Sequence, residues 1–180
     1  MPGPSLPATG QILLFILVAI AAIFDIVCRR IPNWLVLAGV LAGLVWNSSV
    51  AGWPGSGRAA AGLGLGLALY LPLYLIRARG AGDVKLLAAA GAVTGPVNCL
   101  WIFLLTALLG GFIAVILVVF SGRVQQTFFN IGCIVNDILH LRAPFRSSDE
   151  LDVTTTKGMR LPHGAMIAVG VIAFIVLAQY

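Results

Sequence analysis

Long apolar runs alternate with short polar breaks along almost the whole chain. The first run covers about residues 11–28 and stops at Arg29 and Arg30. Pro32 and Asn33 mark a turn there, with Asn33 placed to cap the next helix. Further runs are predicted over 34–50, 59–76, 83–97, 98–120 and 162–179. The stretch NSSVAGWPGSGR, over 47–58, reads as a loop, and GPVN, over 95–98, as a tight turn. A membrane crossing needs about 20 apolar residues, so these runs predict about six transmembrane helices. The fourth is short for a full crossing and reads as tilted or partly re-entrant. The prediction is an all-α, polytopic membrane protein with one domain over 1–180.

Segment 121–161 breaks this pattern. Phe128, Ile131, Val135 and Ile138 recur at helical spacing, while Asn130, Asp137 and His140 help to form the opposite face. This predicts an amphipathic helix on the cytoplasmic membrane surface, followed by an exposed loop over 145–160.

Composition makes the membrane reading necessary. The chain is 60% hydrophobic and only 9% charged, against roughly 25% charged in an ordinary soluble domain. Too few polar side chains exist to cover a globule in water. The net charge of +5 is spread as single or paired basic residues between apolar runs. That is membrane-flanking charge rather than a nucleic-acid footprint. With the N-terminus outside, ten of the eleven basic residues fall on the cytoplasmic side and only Arg58 falls outside. Both termini are therefore expected outside. The first eleven residues carry no basic cluster, so the first run is expected to remain as a span rather than be cleaved as a signal peptide.

Cys28, Cys99 and Cys133 are far apart and form no CxxC pair, so no metal site is predicted from them. His140 and His163 are isolated, and no cofactor motif is present. The pairs Gly39–Gly43, Gly62–Gly66 and Gly91–Gly95 fit GxxxG and are read as close helix packing in lipid.

The chain has six acids. Asp149, Glu150 and Asp152 cluster in the polar loop, and Asp137 lies on the surface helix. Asp25 and Asp83 differ, since each sits within or at the edge of an apolar run. An ionisable group at such depth is costly and usually has a partner or a task. Ordinary partners are available: Arg29 lies at i+4 from Asp25, and Asp83 is placed to cap the start of its own helix. The orientation above nevertheless puts both acids at the cytoplasmic end of the membrane. Gly80 and Gly82 beside Asp83 remove side-chain bulk, so that an extended substrate backbone can approach. Two facing carboxylates share a proton, which lets one act as a base on water while the other donates to a carbonyl.

The stretch Phe24-Asp25-Ile26-Val27-Cys28-Arg29-Arg30-Ile31-Pro32-Asn33 resembles the D-x₅-IPN element of bacterial type IV prepilin peptidases. Gly80-Ala81-Gly82-Asp83-Val84-Lys85-Leu86 resembles their GxGDxKL element. Leu161-Pro162-His163-Gly164-Ala165 is similar to the PxG element that opens their last span. The resemblance implies an aspartic endopeptidase with Asp25 and Asp83 as the catalytic pair and no cofactor. It implies Gly80, Gly82, Lys85 and Asn33 as supporting residues. It implies a substrate that joins a basic leader to a hydrophobic helix, a prepilin or pseudopilin, cut at the cytoplasmic face of the bacterial inner membrane. Many members also carry an N-terminal domain with paired cysteines and methylate the new N-terminus. This chain has no CxxC, so methyltransferase activity is not expected. The short form is similar to the peptidases of Flp-type (tight-adherence) pilus systems.

Two other readings compete with this one. One is a signal-peptide-peptidase-like GxGD protease, which would cut within a span. The other is a small proton- or cation-coupled transporter using the two acids as ion sites.

Overall fold

In the computed structural model, residues 6–75, 80–120 and 163–178 are described, together with the isolated residues 122 and 132. The predicted surface helix within 121–161 lies outside the described residues. What is described is helical: α1 (Ala8–Cys28), α2 (Asn33–Leu75), α3 (Ala81–Thr94), α4 (Pro96–Phe120) and α5 (His163–Leu177). Three of these, α1, α2 and α4, are long and apolar enough to cross a membrane, and α5 contributes a shorter apolar helix over Gly164–Leu177. This all-helical arrangement of the described residues is compatible with a polytopic membrane protein.

The predicted loop over 47–58 is not a loop. Helix continues from both sides to Gly52, the one break in α2, with φ 60° and ψ −143°. Only glycine adopts that backbone without strain. The chain reverses there: Ser48 Oγ and Ser56 Oγ, eight positions apart, form a hydrogen bond of 2.7 Å. In a continuous helix they would lie roughly 12 Å apart along the axis. The arms 33–51 and 53–75 correspond to the second and third predicted spans, extended toward each other.

Helix α3 lies between these two arms, and the glycines show how. A Cβ on Gly39 would lie 3.4 Å from the Cβ of Ala89, and one on Gly43 would lie 2.8 Å from the backbone of Ala92 and Val93. The first arm therefore runs parallel to α3. A Cβ on Gly62 would strike the backbone of Gly91, and one on Gly66 would lie 2.7 Å from the Leu87 carbonyl oxygen. The second arm therefore runs antiparallel. The Gly39–Gly43 and Gly62–Gly66 pairs thus pack on α3, and Gly91 within α3 meets Gly62, whereas Gly95 lies beyond the last helical residue with Arg58 as its neighbour. In lipid, where apolar burial drives no association, such backbone approach supplies the attraction.

Asp83 and Val84, then Leu86 through Thr94, are buried along α3. A helix apolar on all sides belongs in a core. At 14 residues it is about 21 Å long, short of the roughly 30 Å hydrocarbon thickness. Its last carbonyls must therefore find donors within the protein. The buried amide of Asn47 supplies them, donating to Ala92 O at 3.0 Å and Val93 O at 3.1 Å. Gly95, at φ 79°, ends the helix, and Pro96 opens α4 at the position where a missing N–H costs nothing. The break is thus a single residue rather than the four-residue turn expected from GPVN.

The other helices close around this centre. Leu14, Leu17, Val18 and Ala21 form the buried stripe of α1, at i, i+3, i+4 and i+7. Ile167, Ala168, Val171 and Phe174 do the same on α5, and Tyr70 stacks edge-on against Phe103 of α4 at 5.4 Å. The opposite faces carry exposed Ile, Leu, Val and Phe, as lipid-facing surfaces do.

Candidate active site

Helix α1 stops because Arg29 turns left-handed (φ 51°, ψ 29°), its N–H closing on the Asp25 carbonyl at 3.0 Å. This places Asp25 in the last turn of α1, with its side chain half-buried. Its carboxylate does not turn to Arg29. It accepts a hydrogen bond of 2.7 Å on Oδ2 from the backbone N–H of Gly164, in the first turn of α5. That distance is typical of a charge-assisted bond, and a helix N-terminus favours an anion.

Asp83 is the third residue of α3, and Gly80 occupies the N-cap. The predicted start of the fourth span at Asp83, and Asp83 as its cap, are both corrected by this placement. Gly80 is extended (φ −77°, ψ 149°), and its carbonyl accepts from the Asp83 N–H at 3.2 Å. Asp83 is buried, with 8% of its surface exposed. A Cβ on Gly80 would have the Asp83 carboxylate as its nearest neighbour, Oδ2 at 3.8 Å. That is an ordinary van der Waals distance, so residue 80 lies directly against the Asp83 side chain. Gly82 faces Ile31, which a Cβ would meet at 3.4 Å, an ordinary contact.

Asn33 opens α2 but does not cap it. Its Oδ1 accepts from Lys85 Nζ at 2.9 Å. Phe24 and Trp34 meet edge-to-face at 6.1 Å just beyond. The end of α1, the starts of both α2 and α3, and the start of α5 therefore converge at one end of the bundle. Asp25 and Asp83, 58 positions apart in sequence, both belong to that end. A cavity of about 140 Å³ lies at the other end, beside Asn47, Thr94, Asn98 and Arg58, away from the acids.

Sequence reasoning misses two of these features. Asn47 falls in a stretch that reads as loop, although an amide flanked by apolar runs signals that something in lipid needs a donor. Gly164 belongs to a recognisable element but carries no role there. His163 opens α5, and Cys28 is exposed one turn beyond Asp25.

A model of the type IV leader peptidase family matches residues 12–115, which include Asp25, Asn33, Gly80, Gly82, Asp83 and Lys85 and stop short of α5. Comparison with curated proteins and with solved structures gives no significant match. The family match covers more than half of the 180 residues, and the chain belongs to the type IV leader peptidase family, a family of peptidases.

Proposed function

We propose that the chain is an intramembrane aspartic endopeptidase that removes the basic leader from type IV prepilins or pseudopilins, of the Flp-like kind, at the cytoplasmic face of the bacterial inner membrane. The observation that carries this reading is the convergence of the Asp25 turn of α1 and the Asp83 turn of α3 at one end of the bundle, tied by the Lys85–Asn33 hydrogen bond. Family membership supports the peptidase activity and the class of substrate. The distribution of basic residues supports a six-span topology with both termini outside and this end of the bundle facing the cytoplasm.

The chemistry follows from a carboxylate pair that holds one proton. The ionised carboxylate takes a proton from water as the water oxygen bonds to the scissile carbonyl carbon. The protonated partner gives its proton to the carbonyl oxygen, so the tetrahedral species forms without a full negative charge. Collapse of that species breaks the C–N bond, and the amine leaves with a proton returned by the pair. Gly80 and Gly82 carry no side-chain bulk beside Asp83, which suits an extended peptide backbone brought against that turn. Gly82, Lys85 and Asn33 support the same turn without taking part in a proton transfer.

The test is cleavage of a purified prepilin-type substrate by the protein in nanodiscs, with the product boundary read by mass spectrometry. Release of the leader at a single cytoplasmic-side bond is the expected result. Cleavage within the hydrophobic helix would move the reading to the signal-peptide-peptidase-like class. Proton-coupled uptake with no cleavage would replace it with a transporter.

A further inference from the structure

We propose that Gly164, at the start of α5, is a positioning residue for the reaction. Its backbone N–H holds Oδ2 of Asp25, and its lack of a side chain is what lets that carboxylate sit there. The inference rests on the reading of Asp25 as catalytic. It does not draw on the family match, which ends at residue 115.

Two features of the geometry carry it. The first is the 2.7 Å hydrogen bond from Gly164 N to Asp25 Oδ2, joining residues 139 positions apart. A carboxylate at the end of a helix has freedom about two side-chain torsions, and one short bond to a fixed backbone donor removes most of it. The donor belongs to a first helical turn, whose N–H groups have no partner within the helix. Asp25 and α5 thus satisfy each other. The second feature is steric. A Cβ on Gly164 would stand 3.0 Å from Asp25 Oδ2 and 3.1 Å from both its Cβ and Cγ. All three nearest atoms belong to Asp25, so this glycine is matched to that one side chain rather than to general helix packing. Gly170, two turns along the same helix, is the contrast: its missing side chain is matched to Thr106 of α4.

The consequence for the chemistry is an assignment of oxygens. With Oδ2 engaged by Gly164, Oδ1 of Asp25 is the oxygen left to face water or substrate. The last helix thereby becomes part of the catalytic apparatus, by aiming a group on the first.

The experiment removes the donor without changing shape. Gly164 is replaced by glycolic acid during cell-free synthesis into nanodiscs, which exchanges the N–H for an ester oxygen and adds no side chain. Cleavage kinetics are then measured per folded molecule. The expected result is a fall in kcat of about 10- to 100-fold, the worth of one hydrogen bond to a charged group, with KM within about twofold of the parent. Gly164→Ala, which keeps the N–H but crowds Asp25, is expected to show the same split. Gly170→Ala is expected to lower the yield of folded protein while leaving kcat per folded molecule unchanged. An unchanged kcat in the ester variant overturns the proposal. So does an equal loss of kcat in Gly164→Ala and Gly170→Ala, which would make α5 packing alone responsible. Asp25→Asn is assayed beside them: if it remains active, it is the reading of Asp25 itself that fails.

Discussion

Lys85 Nζ donates to Asn33 Oδ1 at 2.9 Å, pinning the first turns of α3 to the start of α2. Neither residue is buried, so the bond adds little to overall stability. Its effect is local, on the turn of α3 that carries Asp83. Lys85→Met and Asn33→Ala are each expected to lower the rate of leader cleavage several-fold, with a melting temperature within a few degrees of the parent. Because both variants break the same bond, the double variant should be no worse than either alone. Additive losses in this double-mutant cycle would show that the two residues act separately.

Asp25→Asn and Asp83→Asn are each expected to reduce cleavage below detection while the protein still inserts. An asparagine at 25 keeps an oxygen that can accept from Gly164, so the fold survives while the base is lost. Immunoblots of membrane fractions against a co-expressed substrate read both outcomes together. Full activity in either variant removes the carboxylate pair from the mechanism.

Asn47→Leu leaves the Ala92 and Val93 carbonyls without the donor they have now. The expected loss is about 1–3 kcal/mol, the cost of leaving buried polar groups unsatisfied. Membrane reference states that find other partners would put it at the lower end. Unfolding in mixed detergent micelles measures it. A loss under a few tenths of a kcal/mol would mean that the end of α3 finds donors elsewhere.

Two glycines on the second arm of α2 predict opposite results. Gly62→Leu places a side chain in the backbone of Gly91 and should prevent the arm from closing on α3, so that little folded protein is recovered. A Cβ on Gly64 would meet nothing within 4 Å. Gly64→Ala is therefore expected to raise stability by up to about 1 kcal/mol through helix propensity. Detergent-solubilised yield and thermal unfolding read the pair.

Cys28 is exposed at the end of α1, and Trp53 is 89% exposed at the α2 reversal. If the acids face the cytoplasm as proposed, a cysteine placed at position 53 reacts with an impermeant maleimide in intact spheroplasts. Cys28 should react only after permeabilisation. Reaction of Cys28 from outside would invert the orientation.

Much of this is legible one residue at a time. A periodic apolar run or its interruption is a local property, and so is the depth of an acid within that run. The helices and the isolation of Asp25 and Asp83 follow directly, and so do the D-x₅-IPN and GxGDxKL elements. Helix limits are less legible. The loop expected over 47–58 shrinks to one residue, because Gly52 alone supplies the reversal and Ser48 and Ser56 bond across it. Helix α3 begins two residues earlier than the predicted start at Asp83, because Asp83 resembles a cap whereas Gly80 serves as one.

The apolar runs, their charged borders and the two acid motifs predict from sequence alone a helical membrane protein with two acids at one end of its bundle. Three facts are decided only in three dimensions: α3 is clasped between the two arms of α2, Asn47 closes its end, and an N–H from residue 164 holds the carboxylate of residue 25. Each depends on which faces of distant helices meet, and that is set by the joint packing of all of them, not by the period of any one.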